Sequence, residues 1–286
     1  EKRMKSTMSR YMDADLAEKL LESGDNLLGG NEAIGTVFFS DIRSFTTLSE
    51  ELGVKRTVEM LNEYFSIMVE CIQNEEGMLD KFIGDAIMAV FGAPITHNDD
   101  PDRAVRAAIQ MMLELKKYND QRIKQGLLPI DHGMGLNTGQ IVSGNIGSEK
   151  RMDYTVIGDA VNLASRIEGS CKIYGAHILI SDSTFQALKD TYRTRQIDKL
   201  IVKGKTVPVG VYEVLNYHTK ESFPNMIEVL EMFNNGIEYY NDGRWDDAIK
   251  QFNKAQKGHP EDKCTNMYIE RCEILKKKDP KEWDGV

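Results

Sequence analysis

The stretch Gly77–Gly92, "GMLDKFIGDAIMAVFG", decides the fold. It sets two apolar runs, "MLDKFIG" and "DAIMAVFGAP", on either side of a tight turn, the pattern of two short strands in a hairpin. Helical patterns flank the pair. "TVEMLNEYFSIMVECIQNEEG" before it has apolar residues at helical spacing, and "DDPDRAVRAAIQMMLELKKYNDQRIKQG" after it starts acidic and ends basic, as a helix dipole favours. An antiparallel pair lying between helices implies an α+β domain. The hairpin also raises a chemical question, because Lys81 and Asp85 stand four apart in otherwise apolar sequence. As an exposed ion pair they contribute only about 0–1 kcal/mol. The alternative is that each serves separate chemistry.

Upstream, "TVFFSDI" (36–42) reads as a buried strand ending in an acid, and "GDNLLGGNEAIG" before it as a Gly/Asn-rich break. "DADLAEKLLESG" has Asp13 as N-cap, Leu16, Leu20 and Leu21 on one face and Gly24 as a stop, which predicts a helical connector over 1–30, one arm of a dimer. Downstream, "DHGMGLNTGQIVSGNIG" reads as a Gly-punctuated hairpin and "GDAVNLASRIEGSCKIYG" as a helix. The strand "HILIS", a short helix at "DSTFQALKD" and the strands "IDKLIVKG" and "PVGVYEVL" follow. The order matches a ferredoxin-like βαββαβ core over 31–217. In 218–286 the positions of Tyr239, Gly243, Trp245, Ala248, Phe252, Ala255 and Pro260 have the spacing of one tetratricopeptide unit, a helical hairpin. A lone repeat cannot bury its own face, so it is expected to pack on the main domain or on a partner.

The totals narrow the function classes. With 36 Lys and Arg against 45 Asp and Glu, the net charge of −9 disfavours a nucleic-acid partner. No apolar run approaches the roughly 20 residues of a membrane helix. Cys71, Cys171, Cys264 and Cys272 form no CxxC pair, so neither a disulfide framework nor a zinc site is expected, and a reducing cytoplasm is the default location.

Three stretches carry chemistry. In "FFSDIRSFT", Asp41 ends an apolar strand, and an acid there is costly unless something cationic or hydrogen-bonding meets it. Residues 42–46 then turn into a helix start, where free N–H groups such as those of Phe45 and Thr46 can hold phosphate oxygens. A simpler reading has Asp41 capping that helix. In the hairpin, Asp85 begins a second apolar strand; if the two strands are neighbours, Asp41 and Asp85 meet at one sheet edge. Such hard oxygen ligands suit Mg²⁺ that also contacts substrate phosphates. In "YTVIGDAVNLASRIEG", Asn162 and Arg166 share a helix face amid small apolar residues, with Thr155 just before Gly158. A polar stripe is usually a solvated face, but an Arg held on packed surface is suited to stabilising phosphoryl charge.

Together, "FSDIRSFT", "LDKFIGDAIMAVFG" and "YTVIGDAVNLASR" resemble the class III nucleotidyl cyclase catalytic domain, over about Thr36 to Leu215. The resemblance implies a head-to-tail homodimer with composite sites and two Mg²⁺ or Mn²⁺ ions per site. It implies metal binding by Asp41, Asp85 and the Ile42 carbonyl, base reading by Lys81 and Thr155, ribose orientation by Asn162, a transition-state role for Arg166 and phosphate binding by Lys203. Adenine offers an N1 acceptor and an N6 donor, which a lysine and a threonine hydroxyl match. Guanylyl cyclases have a glutamate where this chain has Lys81. The resemblance therefore implies an adenylyl cyclase making cyclic AMP from ATP. A guanylyl cyclase and a non-catalytic nucleotide- or protein-binding scaffold are the alternatives. Thr155 resembles a bacterial subgroup that bicarbonate stimulates, and the N-terminal connector implies an upstream sensor domain.

Overall fold

The computed structural model of the chain describes residues 30–148, 151–200, 208–278, 280 and 283. The connector expected over 1–30, apart from Gly30, and Lys203 lie outside the described residues. The elements run β1 (Gly30–Ile42), α1 (Phe45–Asn74), β2 (Met78–Ile83), β3 (Ala86–Phe91), α2 (Asp100–Lys124), β4 (His132–Ser148), β5 (Arg151–Ile157), α3 (Asp159–Tyr174), β6 (Ile178–Ser181), α4 (Asp182–Ala187), β7 (Thr194–Leu200) and β8 (Val209–Val214). Three more helices follow: α5 (Met226–Asn241), α6 (Trp245–Gly258) and α7 (Lys263–Lys278). The strands form one sheet in the order β2-β3-β1-β4-β6-β8-β7, with β5 paired to β4. This is the expected α+β, ferredoxin-like architecture.

Alternation along the strands sorts the core into two faces. Phe38, Ile87, Ala89, Phe91, Met134 and Leu136 pack under α1 and α2, while Val37, Met88, Val90 and Ile141 face the other way, toward Ala160 and Ala164 of α3. The outer flank of α3, with Leu163, Ile167, Cys171 and Tyr174, shares a third cluster with Phe233, Tyr240, Phe252 and Tyr268 of the tail. The tail thus packs on the main domain. A third helix, α7, joins the expected hairpin and docks by Tyr268 Oη donating to the Ile197 carbonyl (2.7 Å) and Lys263 Nζ donating to the Lys172 carbonyl (2.7 Å).

Glycine accounts for two departures from expectation. Residues 30–35 continue β1 rather than breaking it, because a Cβ on Gly30 or Gly35 would lie 2.3 Å from Val142 Cγ1 or 2.5 Å from Ile141 Cδ1. The expected hairpin over 131–147 is one long strand, β4, whose partner is β5. Its glycines admit a helix instead of a turn: a Cβ on Gly135 would lie 2.1 Å from Glu168 N and 2.7 Å from the Ala164 carbonyl. That close approach seats α3 directly on the sheet.

Beneath β1, His132 is fully buried, with Nδ1 2.8 Å from the Tyr64 hydroxyl and Nε2 3.2 Å from Met112 Sδ. Burial pushes its pKa down from 6.5 to about 3, with the nearby charge of His177 acting the same way. The unfolded chain therefore gains this proton near pH 6.5 and the folded chain only near pH 3. Stability is expected to be fully present above pH 6.5 and to fall toward pH 3, by up to about 1.4 kcal/mol per pH unit from this group. Urea unfolding at a series of pH values checks the slope, which should be shallower in His132→Gln.

Candidate active site

The ends of β1 and the β2–β3 turn build the first part of the site. β1 pairs antiparallel with β3, with Thr36 opposite Phe91 and Ser40 opposite Ile87, so the next residues of β1 run alongside the hairpin turn. That turn is Gly84–Asp85, with Gly84 at φ 65°, a conformation glycine adopts without steric cost. Asp85 therefore sits in the turn and not at the head of the strand. Its carboxyl meets that of Asp41: burial first, then the hydrogen bond to Asp41 and the Asp41 charge, raise Asp85 to about 7, against N–H donors of Asp85 and Ile42. Glu168, on α3, also rises to about 7, through burial and then the charge of Asp41.

Two carboxyls crowded together at one sheet edge, with Asp85 raised by burial and by its neighbour, are a donor set a divalent cation fits. Among the described residues no group of three or more His, Cys, Asp or Glu forms a metal cage. Two carboxylates and a carbonyl leave most of the six positions of Mg²⁺ to water and phosphate oxygens, which is its usual mode in phosphoryl-transfer sites.

The segment after Asp41 is pinned from outside. Arg43 N donates to the Asp131 carbonyl (2.8 Å), its Nη1 donates to Asp131 Oδ2 (2.9 Å), and its Nη2 donates to the Ala176 carbonyl. His177 Nε2 lies 2.9 Å from Asp131 Oδ1. Burial alone would raise Asp131, but the hydrogen bond and charge of His177 and the charge of Arg43 hold it down at about 2. Ser44 then takes φ 54° and begins α1 without a side-chain cap. Asp41 does not cap this helix, since its carboxyl faces Asp85. The first-turn N–H groups at Phe45 and Thr46 stay uncapped by side chains, with Thr46 exposed and Phe45 half-buried.

Lys81 and Asp85 are not partners. Lys81 Nζ lies 3.3 Å from Oδ1 of Asp80. Asp80 in turn accepts from Thr155 Oγ1 (2.7 Å) and Val156 N (3.3 Å). The two candidate base readers, 74 positions apart in sequence, therefore meet at one carboxylate that motif reading passed over. Thr155 lies within β5, opposite Gly144 of β4, and not in a turn.

On α3, Asn162 and Arg166 are exposed on one face while Leu163, Ala164 and Ile167 are buried on the other. The Arg166 guanidinium makes no hydrogen bond or ion pair among the described residues. Within one chain the structure thus joins Asp41 to Asp85 and Lys81 to Thr155, and leaves Asn162 and Arg166 free on their helix.

Residues 31–218 match the family described as the adenylate and guanylate cyclase catalytic domain. The chain belongs to this family. The chain is 35% identical over 279 residues to a terminal-differentiation-specific adenylate cyclase of Dictyostelium discoideum, covering 94% of this chain and 13% of that protein. It is 43% identical over 186 residues to an adenylate cyclase of Anabaena cylindrica, covering 63% of this chain and 36% of that one. The chain thus spans little more than a third of the length of these relatives at most. Among solved structures it resembles the adenylyl cyclase CyaB from P. aeruginosa, with 39% identity and a TM-score of 0.61 over 68% of this chain and 99% of that one. It also resembles the guanylyl cyclase Cya2, with 40% identity and a TM-score of 0.59 over 65% and 94%. No helix among the described residues is long and apolar enough to cross a membrane.

Proposed function

We propose that this chain is the catalytic part of an adenylyl cyclase, converting ATP to 3′,5′-cyclic AMP and pyrophosphate. The junction of Lys81 and Thr155 at Asp80 carries the choice of base. An ammonium can only donate, which suits adenine N1, and a hydroxyl can accept from the N6 amino group; guanine presents the opposite polarity at both positions.

Asp41, Asp85 and the Ile42 carbonyl would hold two divalent cations, Mg²⁺ or Mn²⁺, whose charge when bound acidifies the ribose 3′-hydroxyl and neutralises the phosphates. The N–H groups at Phe45 and Thr46, with Lys203, would receive the phosphate oxygens of the leaving pyrophosphate. Asn162 orients the ribose. The 3′-oxygen, having lost its proton, attacks the α-phosphorus in line, and the bond to the β-phosphate oxygen breaks. Arg166 offsets the charge that builds on the α-phosphoryl oxygens. No protein nucleophile is needed, since positioning and electrostatics supply most of the acceleration.

The site is composite in this reading. Arg166 makes no bond to the carboxylate pair of its own chain, and Phe82 (45% exposed), Ile83 (51%) and Ile157 (51%) present apolar surface beside the base readers. A second copy, placed head to tail, would cover that surface and bring its own Asp41 and Asp85 to Arg166. The division that fits this function is a catalytic unit over 31–217, a tetratricopeptide-like brace over 218–286 and a connector over 1–30 leading from a sensor domain. Thr155 supports the bicarbonate-responsive subgroup, and the buried thiols of Cys71, Cys171, Cys264 and Cys272, all free, support a reducing, cytoplasmic location.

Incubation with Mn²⁺ and either ATP or GTP tests the reading. Cyclic AMP should form from ATP at least about tenfold faster than cyclic GMP from GTP, and bicarbonate at fixed pH should raise the rate. Equal use of both nucleotides removes the base assignment, formation of neither product leaves the scaffold alternative, and indifference to bicarbonate removes the subgroup.

A further inference from the structure

Asp80 owes its position to a β-bulge. Leu79 lies opposite Ala89 and Lys81 opposite Met88, so Asp80 is the extra residue of β2. Ala89 belongs to the face under α1 and α2, and Met88 to the opposite face. The bulge therefore changes the parity of the strand and puts Asp80 and Lys81 together near Thr155. The Asp80 side chain is 0% exposed, and its Oδ1 is buried with no hydrogen bond, facing only the Lys81 ammonium at 3.3 Å. Burying a carboxylate this way is costly, and a residue that only tied β2 to β5 could be neutral.

The groups around Asp80 are all donors. Val156 N–H and the Lys81 ammonium cannot accept, and the Thr155 hydroxyl gives its hydrogen to Oδ2 at 2.7 Å. A hydroxyl has one hydrogen. Once it is given to Asp80, the remaining face of Thr155 Oγ1 offers lone pairs only. We propose that Asp80 is a positioning residue that fixes the hydrogen-bond polarity of base recognition, committing Thr155 to accept and Lys81 to donate. This rests on the base-reading roles proposed above for Lys81 and Thr155. Threonine alone is ambiguous, able to receive a 6-amino donor or to donate to a 6-oxo acceptor. Asp80 removes the ambiguity from behind, without touching the nucleotide.

Two nucleotide analogues of matched size test this. N6-methyl-ATP keeps an N–H donor at position 6, and 6-methoxypurine riboside triphosphate puts an oxygen acceptor there; both keep the N1 acceptor. Their inhibition constants are measured as competitors of ATP in the full chain. The unaltered protein should favour the N–H analogue by at least about tenfold, because a mismatched buried polar pair is strongly rejected. In Asp80→Asn the side-chain amide can donate to Thr155, freeing its hydroxyl hydrogen, and the preference should fall to within about threefold. In a Thr155→Val background, Asp80→Asn should leave the ratio unchanged. Equal inhibition by the two analogues in the unaltered protein overturns the proposal, whether or not the variant folds. So does a preference that survives in an active Asp80→Asn. An unaltered protein that makes no cyclic AMP from ATP would instead overturn the adenylyl cyclase reading itself.

Discussion

Asp85→Asn is expected to lower the rate of cyclic AMP formation by about a thousandfold or more while leaving the unfolding temperature unchanged or higher. The two effects have one cause. Asp85 is raised to about 7 by burial and by the hydrogen bond and charge of Asp41, so in the absence of a cation the folded protein carries the cost of crowded carboxyls. An amide relieves that repulsion and, on the role proposed for Asp85, removes a metal ligand in the same step. Mg²⁺ should accordingly raise the unfolding temperature of the unaltered protein and have a smaller effect on the variant, by mass action on the folded state. Thermal unfolding with and without Mg²⁺, beside a cyclase assay, separates loss of metal from loss of fold. The proposed composite site adds a second outcome. Asp85→Asn mixed with an equally inactive Arg166→Ala should regain activity, because each heterodimer holds one site with both residues intact. Heterodimers that form without regaining activity would show that one chain supplies the whole site.

Sequence pattern reaches residues whose position follows from period or order. Phe38 and Val37 alternate to opposite faces as a period of two demands, and Asn162 and Arg166 share an exposed helix face because they are four apart. Asp41 closes one apolar run and Asp85 precedes another, and the topology makes the two runs neighbours. Asp80 was not legible because the bulge breaks the alternation by which a strand is read, placing consecutive charges on one face. Glycines misled in the other direction: Gly30, Gly35 and Gly135 look like turn formers, yet each is small because a neighbouring chain segment lies where its Cβ would be. The Arg43–Asp131–His177 brace is invisible for a third reason, since its members are distant in sequence and charged residues in loops look solvated.

The same blindness hid the strongest link between tail and catalytic fold. Arg195 of β7, 3% exposed, donates through Nη1 and Nη2 to both oxygens of Asp262 (2.7 and 2.8 Å) and through Nε to Glu213 (2.7 Å), and its guanidinium lies 4.8 Å from the Phe233 ring centroid. Glu213, on β8, is raised first by burial, with Arg195 pulling the other way. Arg195→Met is expected to cost about 3–5 kcal/mol, because it leaves two buried carboxylates facing each other without their cation. The sign with pH follows: protonating either acid removes buried charge, so the variant should recover part of its deficit as pH falls. Glu213→Gln with Asp262→Asn should recover part of it at neutral pH. Urea unfolding across pH of Arg195→Met, alone and combined with those two amides, measures both. The loss should also reach activity, because the tail covers the flank of α3 that adjoins the face carrying Asn162 and Arg166, and Leu163, Ile167 and Tyr174 lose their cover if the tail loosens. A cut after residue 217 would expose that same surface, so the tail and catalytic core should unfold in a single transition. Two separated transitions in the unaltered chain would show instead that the tail folds as an independent appendage.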